Sequence, residues 1–242
     1  MPDAVPAILD CLQAFGLNWD GEVYYQSRHQ AAYASAIAQL QEQSLIYPCV
    51  CSRKLLSGYP AVYPGFCREK HRPDEHHSLR VKTDDVEICF VDGCQGRICE
   101  NMARQHGDFI VKRRDGLIAY QLAVVIDDYC QQITHVVRGC DLLDSTPKQI
   151  FLQKLLNLPM PEYLHIPVIA DQHGNKLSKQ TRAQAVDRKH PSATLFLLLK
   201  LLKQNPPASL GSASIHGILD WAINHWQPEP LTNIHTISLI FD

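Results

Sequence analysis

Cys49-x-Cys51, an interval of eleven residues, Tyr63, three residues and then Cys67 form a pattern whose chemistry is that of a metal site. Thiolates are soft and anionic and hold Zn²⁺ well; a Cys-x-Cys pair sets two sulfurs close together, and a later residue closes the tetrahedron. Three cysteines leave one position, open to Tyr63, to His71 or, in a catalytic site, to water. Free cysteines also serve as small buried hydrophobes. Residues 47–72, however, are rich in Cys, Pro, Gly and Tyr, show no apolar periodicity and offer no core of their own. Such a segment needs a staple, which favours the metal.

A second pattern is the run Lys176-Leu177-Ser178-Lys179-Gln180, in a polar loop directly after an apolar stretch. Two lysines three apart, with a hydroxyl between them, suit the charge that develops on a triphosphate under attack; a solvated basic loop fits the same residues. A third pairing is Tyr120 with Arg138. A guanidinium fork matches a carboxylate bidentately and a tyrosine hydroxyl can orient it, which suits a small acidic ligand. The plainer alternative is a core tyrosine and an arginine paired with Asp127, Asp128 or Asp141. Basic groups at Arg53-Lys54, at Arg68, Lys70 and Arg72, and at Lys112-Arg113-Arg114 fit either a phosphate backbone or solvated faces.

Periodicity gives the helices and strands on which these residues stand. Val5, Ile8, Leu9, Leu12 and Phe15 recur at helical spacing, closed by Gly16 and Gly21, and a second helix over 27–43 puts Tyr33, Ile37 and Leu40 on one face. Short strands are expected at 77–82, 86–91 and 108–113, with a tight turn at Asp115-Gly116. A helix over 120–129 and a β-branched run at 133–137 restore an α/β alternation. Thr146-Pro147-Lys148-Gln149 has the arrangement of a capping box, predicting a helix to Leu156 with Thr146 as its cap. A buried strand at 163–169 leads into the lysine loop, and helices are expected at 191–204 and 214–226.

Composition sets outer bounds. The chain has 242 residues, 45% hydrophobic and 20% charged, with a formal net charge of −2. That is ordinary globular composition, and it argues against a histone-like, non-specific nucleic-acid binder. The apolar run 195–199 is far too short for a membrane span, and the acidic start lacks a secretory signal, so a cytoplasmic protein with no membrane partner is expected. Nine cysteines, an odd number without paired spacing, suggest reduced thiols. Beyond the possible metal ligands, Cys11, Cys89, Cys94, Cys99, Cys130 and Cys140 read as small hydrophobes in apolar surroundings.

Taken in order, Leu17-Asn18-Trp19-Asp20-Gly21, Tyr47-Pro48-Cys49-Val50-Cys51, Tyr63-Pro64-Gly65-Phe66-Cys67, the stretch 119–128 (AYQLAVVIDD), Val137-Arg138-Gly139-Cys140-Asp141-Leu142-Leu143 and Lys176-Leu177-Ser178-Lys179 resemble the glutamyl-tRNA synthetases, and most closely the shortened paralogous family, the glutamyl-Q tRNA(Asp) synthetases. The resemblance runs over nearly the whole chain. It implies an α/β fold with a class I Rossmann-type parallel sheet, a zinc-containing insert and a short helical C-terminal region. The corresponding segments are 1–46 for the remainder of the first Rossmann half, 47–115 for an insert resembling an acceptor-binding region, 116–190 for the second half with the lysine loop, and 191–242 for the helical end. The resemblance further implies Cys49, Cys51, Tyr63 and Cys67 as ligands of one Zn²⁺, Tyr120 and Arg138 as glutamate contacts, and Lys179, with Lys176 beside it, at ATP and its Mg²⁺. It implies a monomer that activates glutamate and transfers it to queuosine in the anticodon of tRNA(Asp).

One family feature has no counterpart in these residues. Class I synthetases carry a His-x-Gly-His-type motif on the first strand-helix turn, and this sequence has none. The expectation is that at least the first strand-helix-strand unit, roughly 30 or more residues, is missing. Two other readings fit the motifs: a fragment of an ordinary glutamyl-tRNA synthetase, and a non-catalytic, zinc-containing RNA-binding remnant.

Overall fold

The computed structural model of the chain describes residues 4–59, 62–70, 76–171, 176–177 and 186–238. The apolar spacing at the start forms helix α1 (Ala4–Ala14), which ends at Gly16 with φ of +70°. A Cβ there would also approach Ile215 and Leu219 to 2.9 Å, so the glycine lets this turn close onto a later helix. Helix α2 (Gln30–Glu42) buries Tyr33, Ala36, Ile37 and Leu40, the spacing of a single helical face.

The chain then builds β1 (Ile46–Cys49), a one-turn helix α3 (Arg53–Leu56), β2 (Ser78–Val81), the hairpin β3 (Glu87–Asp92) and β4 (Gly96–Asn101), and β5 (Phe109–Lys112). After the Asp115-Gly116 turn, in which the Arg113 amide donates to the Leu117 carbonyl at 2.8 Å, come α4 (Tyr120–Cys130), β6 (His135–Gly139), α5 (Thr146–Leu156) and β7 (Glu162–Ile166). Pro167 interrupts what reads in sequence as one strand. A separate β8 (Val168–Ala170) follows, then α6 (Pro191–Leu201), α7 (Ile215–His225) and β9 (Thr236–Ser238).

The described residues form three sheets. The main one has the order β4-β3-β7-β6 and is parallel along β3, β7 and β6, with β4 added antiparallel at the edge. The sheet is therefore mixed rather than wholly parallel. β6, α5 and β7 form a βαβ crossover, the connection that neighbouring parallel strands require. β1, β2 and β5 make an antiparallel sheet, and β8 and β9 pair parallel. Residues 87–101, assigned from sequence to the insert, thus share a sheet with β6 and β7. Residues 236–238 add a strand to the region expected to be helical.

The core lies between the helices α2, α4 and α5 and the strands, with Leu40, Ile88, Met102, Leu122, Ile150 and Leu152 fully enclosed. Asp127 of α4 is buried with them and takes hydrogen bonds from Tyr33 and Gln26, which ties α2 to α4. Among the described residues no helix is long and apolar enough to cross a membrane.

Two local features differ from those expected of the sequence. Thr146 does not cap α5: it is the first helical residue, Ser145 stands at the cap position, and no side chain makes the capping bond. Cys89 and Cys99 are not free thiols either. They face one another across β3 and β4 and form a disulfide. Of the other cysteines read as buried hydrophobes, only Cys94 is buried, and Cys130 is exposed.

Candidate functional site

The cysteine pattern folds into a cluster at the end of β1. Cys49 closes the strand, Ser52 caps α3 by accepting from the Leu55 amide at 3.1 Å, and the turn at Gly65, with φ of +80°, brings Cys67 back toward Cys49. The three sulfurs lie within 4.8 Å of one another. Tyr63 Oη is 3.4 Å from Cys49 Sγ and 3.3 Å from Cys51 Sγ, and Cys51 and Cys67 sulfurs are 3.6 Å apart. Metal-sulfur bonds of about 2.3 Å and metal-oxygen bonds of about 2.0 Å, arranged tetrahedrally, require ligand separations of roughly 3.8 and 3.5 Å. The three thiols and the phenol thus fit a zinc-sized ion. His71 lies outside the described residues.

Tyr47, Cys49, Tyr63 and Cys67 are buried together, with Leu56 and Phe66 packed against them. The segment does have an apolar centre, built from the ligand set itself. Arg80 of β2 supports it: its Nε donates to Cys49 Sγ at 3.3 Å, its Nη1 donates to the Asp108 carbonyl at 2.7 Å, and its guanidinium lies over the Tyr63 ring. Asp108 accepts in turn from Tyr47 Oη at 2.6 Å and from the Thr83 amide at 2.8 Å. Burial pushes the Cys49 thiol up, but hydrogen bonds from Tyr63, Arg80 and the Cys51 amide outweigh it and bring the thiol down to about 7. The sequence reading missed Arg80 and Asp108.

A second cluster sits where three neighbouring strands end. Asp92 is the last residue of β3, while His165 and Arg138 are the penultimate residues of β7 and β6. The strands are parallel and adjacent, so all three side chains stand at the carboxyl edge of the sheet, where open α/β sheets bind their ligands. Arg138 makes no ion pair with Asp127, Asp128 or Asp141. Its Nε donates to His165 Nε2 at 2.9 Å and its Nη2 donates to Thr146 Oγ1 at 2.8 Å. His165 Nδ1 bonds to Asp92 Oδ2 at 2.6 Å, and Asp92 Oδ1 accepts the amides of Cys94, Gln95 and His165.

The arginine fork is therefore spent on protein groups. Among the described residues Nη1 has no hydrogen-bond partner. Burial pushes the Asp92 carboxyl up, yet the His165 ring and the three amides more than offset this and hold it below its ordinary value. Neither Asp92 nor His165 figured among the sequence candidates. The available signal was a histidine inside the apolar stretch 163–169, because a buried imidazole needs a partner.

Tyr120 begins α4 and is half exposed. The next residue, Gln121, donates to Ser145 Oγ at 2.9 Å and accepts from Gln149 at 2.9 Å, joining the start of α4 to the start of α5 beside Thr146. Tyr120 and Arg138 make no direct contact. They are linked through these two helix ends. The lysine loop is only partly described. Lys176 bridges back to Ala170, the Leu177 amide donates to the Ile169 carbonyl at 2.9 Å, and Lys176 Nζ pairs with Asp141. Ser178, Lys179 and Gln180 lie outside the described residues.

Several of the described basic side chains are engaged by neighbouring groups, while Arg72 lies outside the described residues. Arg68 reaches the Thr83 carbonyl and Asp84, Arg113 pairs with Asp115, and Arg114 donates to the Val50 carbonyl.

Residues 64–203 match the family described as tRNA synthetases class I (E and Q), catalytic domain. The chain is 44% identical over 238 residues to a glutamyl-Q tRNA(Asp) synthetase of Ectopseudomonas mendocina, an alignment spanning 98% of this chain and 81% of that protein. It is likewise 44% identical over 237 residues to the protein of the same name from Pseudomonas aeruginosa, again 81% of whose length is spanned. Among solved structures it resembles a glutamate-tRNA synthetase from Elizabethkingia anophelis, with a TM-score of 0.79 at 19% identity. A glutamate tRNA ligase from Elizabethkingia meningosepticum, solved with its amino acid, gives 0.77 at 20% identity. This chain spans 58% of the length of each of those two, and at that identity the likeness is one of fold.

Proposed function

Because this chain belongs to the glutamyl-Q tRNA(Asp) synthetase family, within the class I (E and Q) synthetases, we propose that it activates glutamate with ATP and transfers it to queuosine in the anticodon of tRNA(Asp). In the first step a carboxylate oxygen of glutamate attacks the α-phosphorus of ATP, pyrophosphate leaves, and glutamyl-adenylate forms. In the second, a nucleophilic group of the modified base takes the glutamyl carbonyl and AMP departs. Such a protein works in the cytoplasm as a monomer.

The observation that carries this reading is the position of Arg138. It stands at the carboxyl edge of the sheet, held through Nε and Nη2, and among the described residues Nη1 has no hydrogen-bond partner. A cation held this way suits an acidic substrate, and the contact is end-on through Nη1 rather than a bidentate fork. Tyr120, at the start of α4, is the second glutamate contact. Lys179 contacts ATP, which arrives with Mg²⁺, and Lys176 supports it from the same loop. Release of Lys176 from Asp141 would accompany that contact. Cys49, Cys51, Tyr63 and Cys67 would hold a structural zinc ion, whose chemistry is to fix residues 47–70.

The test measures glutamate-dependent exchange of labelled pyrophosphate into ATP without tRNA, then transfer of labelled glutamate to tRNA(Asp) with and without queuosine. Exchange, with transfer confined to the queuosine-containing tRNA, supports the reading. Charging of tRNA(Glu) would select an ordinary glutamyl-tRNA synthetase instead, and absence of both activities would leave a non-catalytic RNA-binding protein.

A further inference from the structure

We infer that Asp92 and His165 act as a positioning pair: Asp92 fixes the tautomer of His165, and the bare ring nitrogen of His165 then sets the direction in which Arg138 faces its ligand.

Every nitrogen of an arginine side chain donates and none accepts. The 2.9 Å contact from Arg138 Nε to His165 Nε2 therefore requires a lone pair on Nε2. Thr146 Oγ1, 3.2 Å from the same nitrogen, can turn its own proton toward it while accepting from Arg138 Nη2. The imidazole proton must then reside on Nδ1, where Asp92 Oδ2 stands 2.6 Å away. The other carboxylate oxygen is occupied by three backbone amides, so Asp92 cannot rotate out of place. Both side chains are fully enclosed.

Burial makes the tautomer a matter of consequence. If the proton moved to Nε2, two N–H groups would point at one another across 2.9 Å, and Arg138 would have to swing away. Among the described residues the guanidinium otherwise meets Thr146, the Leu142 carbonyl in a long contact at 3.5 Å, and the Tyr163 ring, whose centre is 5.5 Å away. Asp92 thus acts on the ligand through two intervening side chains, and neither it nor His165 need touch the substrate. The effect on ligand affinity rests on the reading of Arg138 as the glutamate arginine. The tautomer does not.

Asp92→Asn separates the two. An asparagine retains an oxygen for the three amides but presents N–H₂ to Nδ1, which drives the ring proton to Nε2. The full chain, labelled with ¹⁵N-histidine, is compared by NMR as wild type and Asp92→Asn, with His165→Gln locating the signal. The wild type is expected to show a protonated Nδ1 and a bare Nε2, and the variant the reverse. Calorimetric glutamate affinity should fall in Asp92→Asn by about tenfold to a hundredfold, the range for a hydrogen bond to a charged group. In a His165→Gln background the carbonyl oxygen accepts from Arg138 whatever stands at position 92, so Asp92→Asn should there have no further effect. That background also serves if the single variant folds poorly.

A protonated Nε2 in the wild type would overturn the inference. So would Asp92→Asn leaving glutamate affinity intact while Arg138→Lys weakens it, or an equal loss from Asp92→Asn in the His165→Gln background. If Arg138→Lys leaves glutamate affinity intact, the glutamate reading of Arg138 fails. The NMR result still decides the tautomer.

Discussion

The guanidinium of Arg80 lies 3.9 Å from the centre of the Tyr63 ring while its Nε donates to Cys49 Sγ at 3.3 Å. One side chain thus braces two of the four groups that would hold a metal, and its other end is anchored on the Asp108 carbonyl. Partners behind metal ligands commonly govern affinity by about ten- to a hundredfold when removed. Arg80→Met keeps the stem and removes the charge. Zinc affinity, read by competition with a chelator, should fall within that range; a value unchanged from the wild type would show that Arg80 is a packing residue only.

Tyr63 can be tested as the fourth ligand with its ring left in place. Tyr63→Phe preserves the edge contact with Phe66 but removes the oxygen lying 3.3 Å from Cys51 Sγ. Cobalt substituted for zinc should give tetrahedral absorption bands in the wild type. Those bands should shift in Tyr63→Phe, and Tyr63→His, which offers another good zinc donor, should keep tight binding. Cys49→Ser should lose most of the affinity. Identical cobalt spectra for the wild type and Tyr63→Phe would remove Tyr63 from the ligand set.

Much of the fold was legible because its signals are local. The buried face of α2 repeats at helical spacing, and the β-branched and apolar runs became β2, β3, β5, β6 and β7. The strand β4 escaped because it lies at a sheet edge, and its Arg97, Glu100 and Asn101 give no apolar alternation. The candidate site divides in the same way. Cys49, Cys51, Tyr63 and Cys67 are near in sequence, and the structure brings them together. Asp92 and His165 are separated by 73 positions and meet only because β3 and β7 are adjacent parallel strands. No local rule reports such a neighbour.

Asp92 should leave a mark on acid stability. Its carboxyl is held below the ordinary value in the folded chain, so its ionised form stabilises the fold fully above the unfolded value of about 3.9. That contribution is lost as pH falls through the lower, folded value. Urea titrations at a series of pH values should show a steeper loss below about pH 4 in the wild type than in Asp92→Asn, which has no carboxyl to protonate. Parallel curves would assign the acid limb to other groups.

The Cys89–Cys99 disulfide joins residues 10 positions apart across the β3–β4 hairpin. Closing so short a loop in the unfolded chain is worth at most about 3 kcal/mol by the chain-entropy account, and less where the hairpin is already favoured. The double replacement Cys89→Ser with Cys99→Ser should lower stability by up to that amount in non-oxidised buffer without reductant. With a strong reductant present the wild type and the double variant should coincide. A gap that persists under reduction would mean that the serines act through packing.

Thr146 offers a test in which the sequence and the structure make opposite forecasts. As a helix cap, its removal would cost α5 about 1 kcal/mol and leave ligand binding alone. In the structure it is fully buried, and its hydroxyl oxygen accepts a hydrogen bond from Arg138 Nη2 at 2.8 Å. Thr146→Val keeps the volume and strands that donor, a loss of about 1–3 kcal/mol in a urea melt. Thr146→Ser keeps the hydroxyl and should bind glutamate like the wild type, whereas Thr146→Val should weaken it, since Arg138 Nη2 would keep only its long contact to the Leu142 carbonyl. Equal glutamate affinity in the two variants would return Thr146 to a purely helical role.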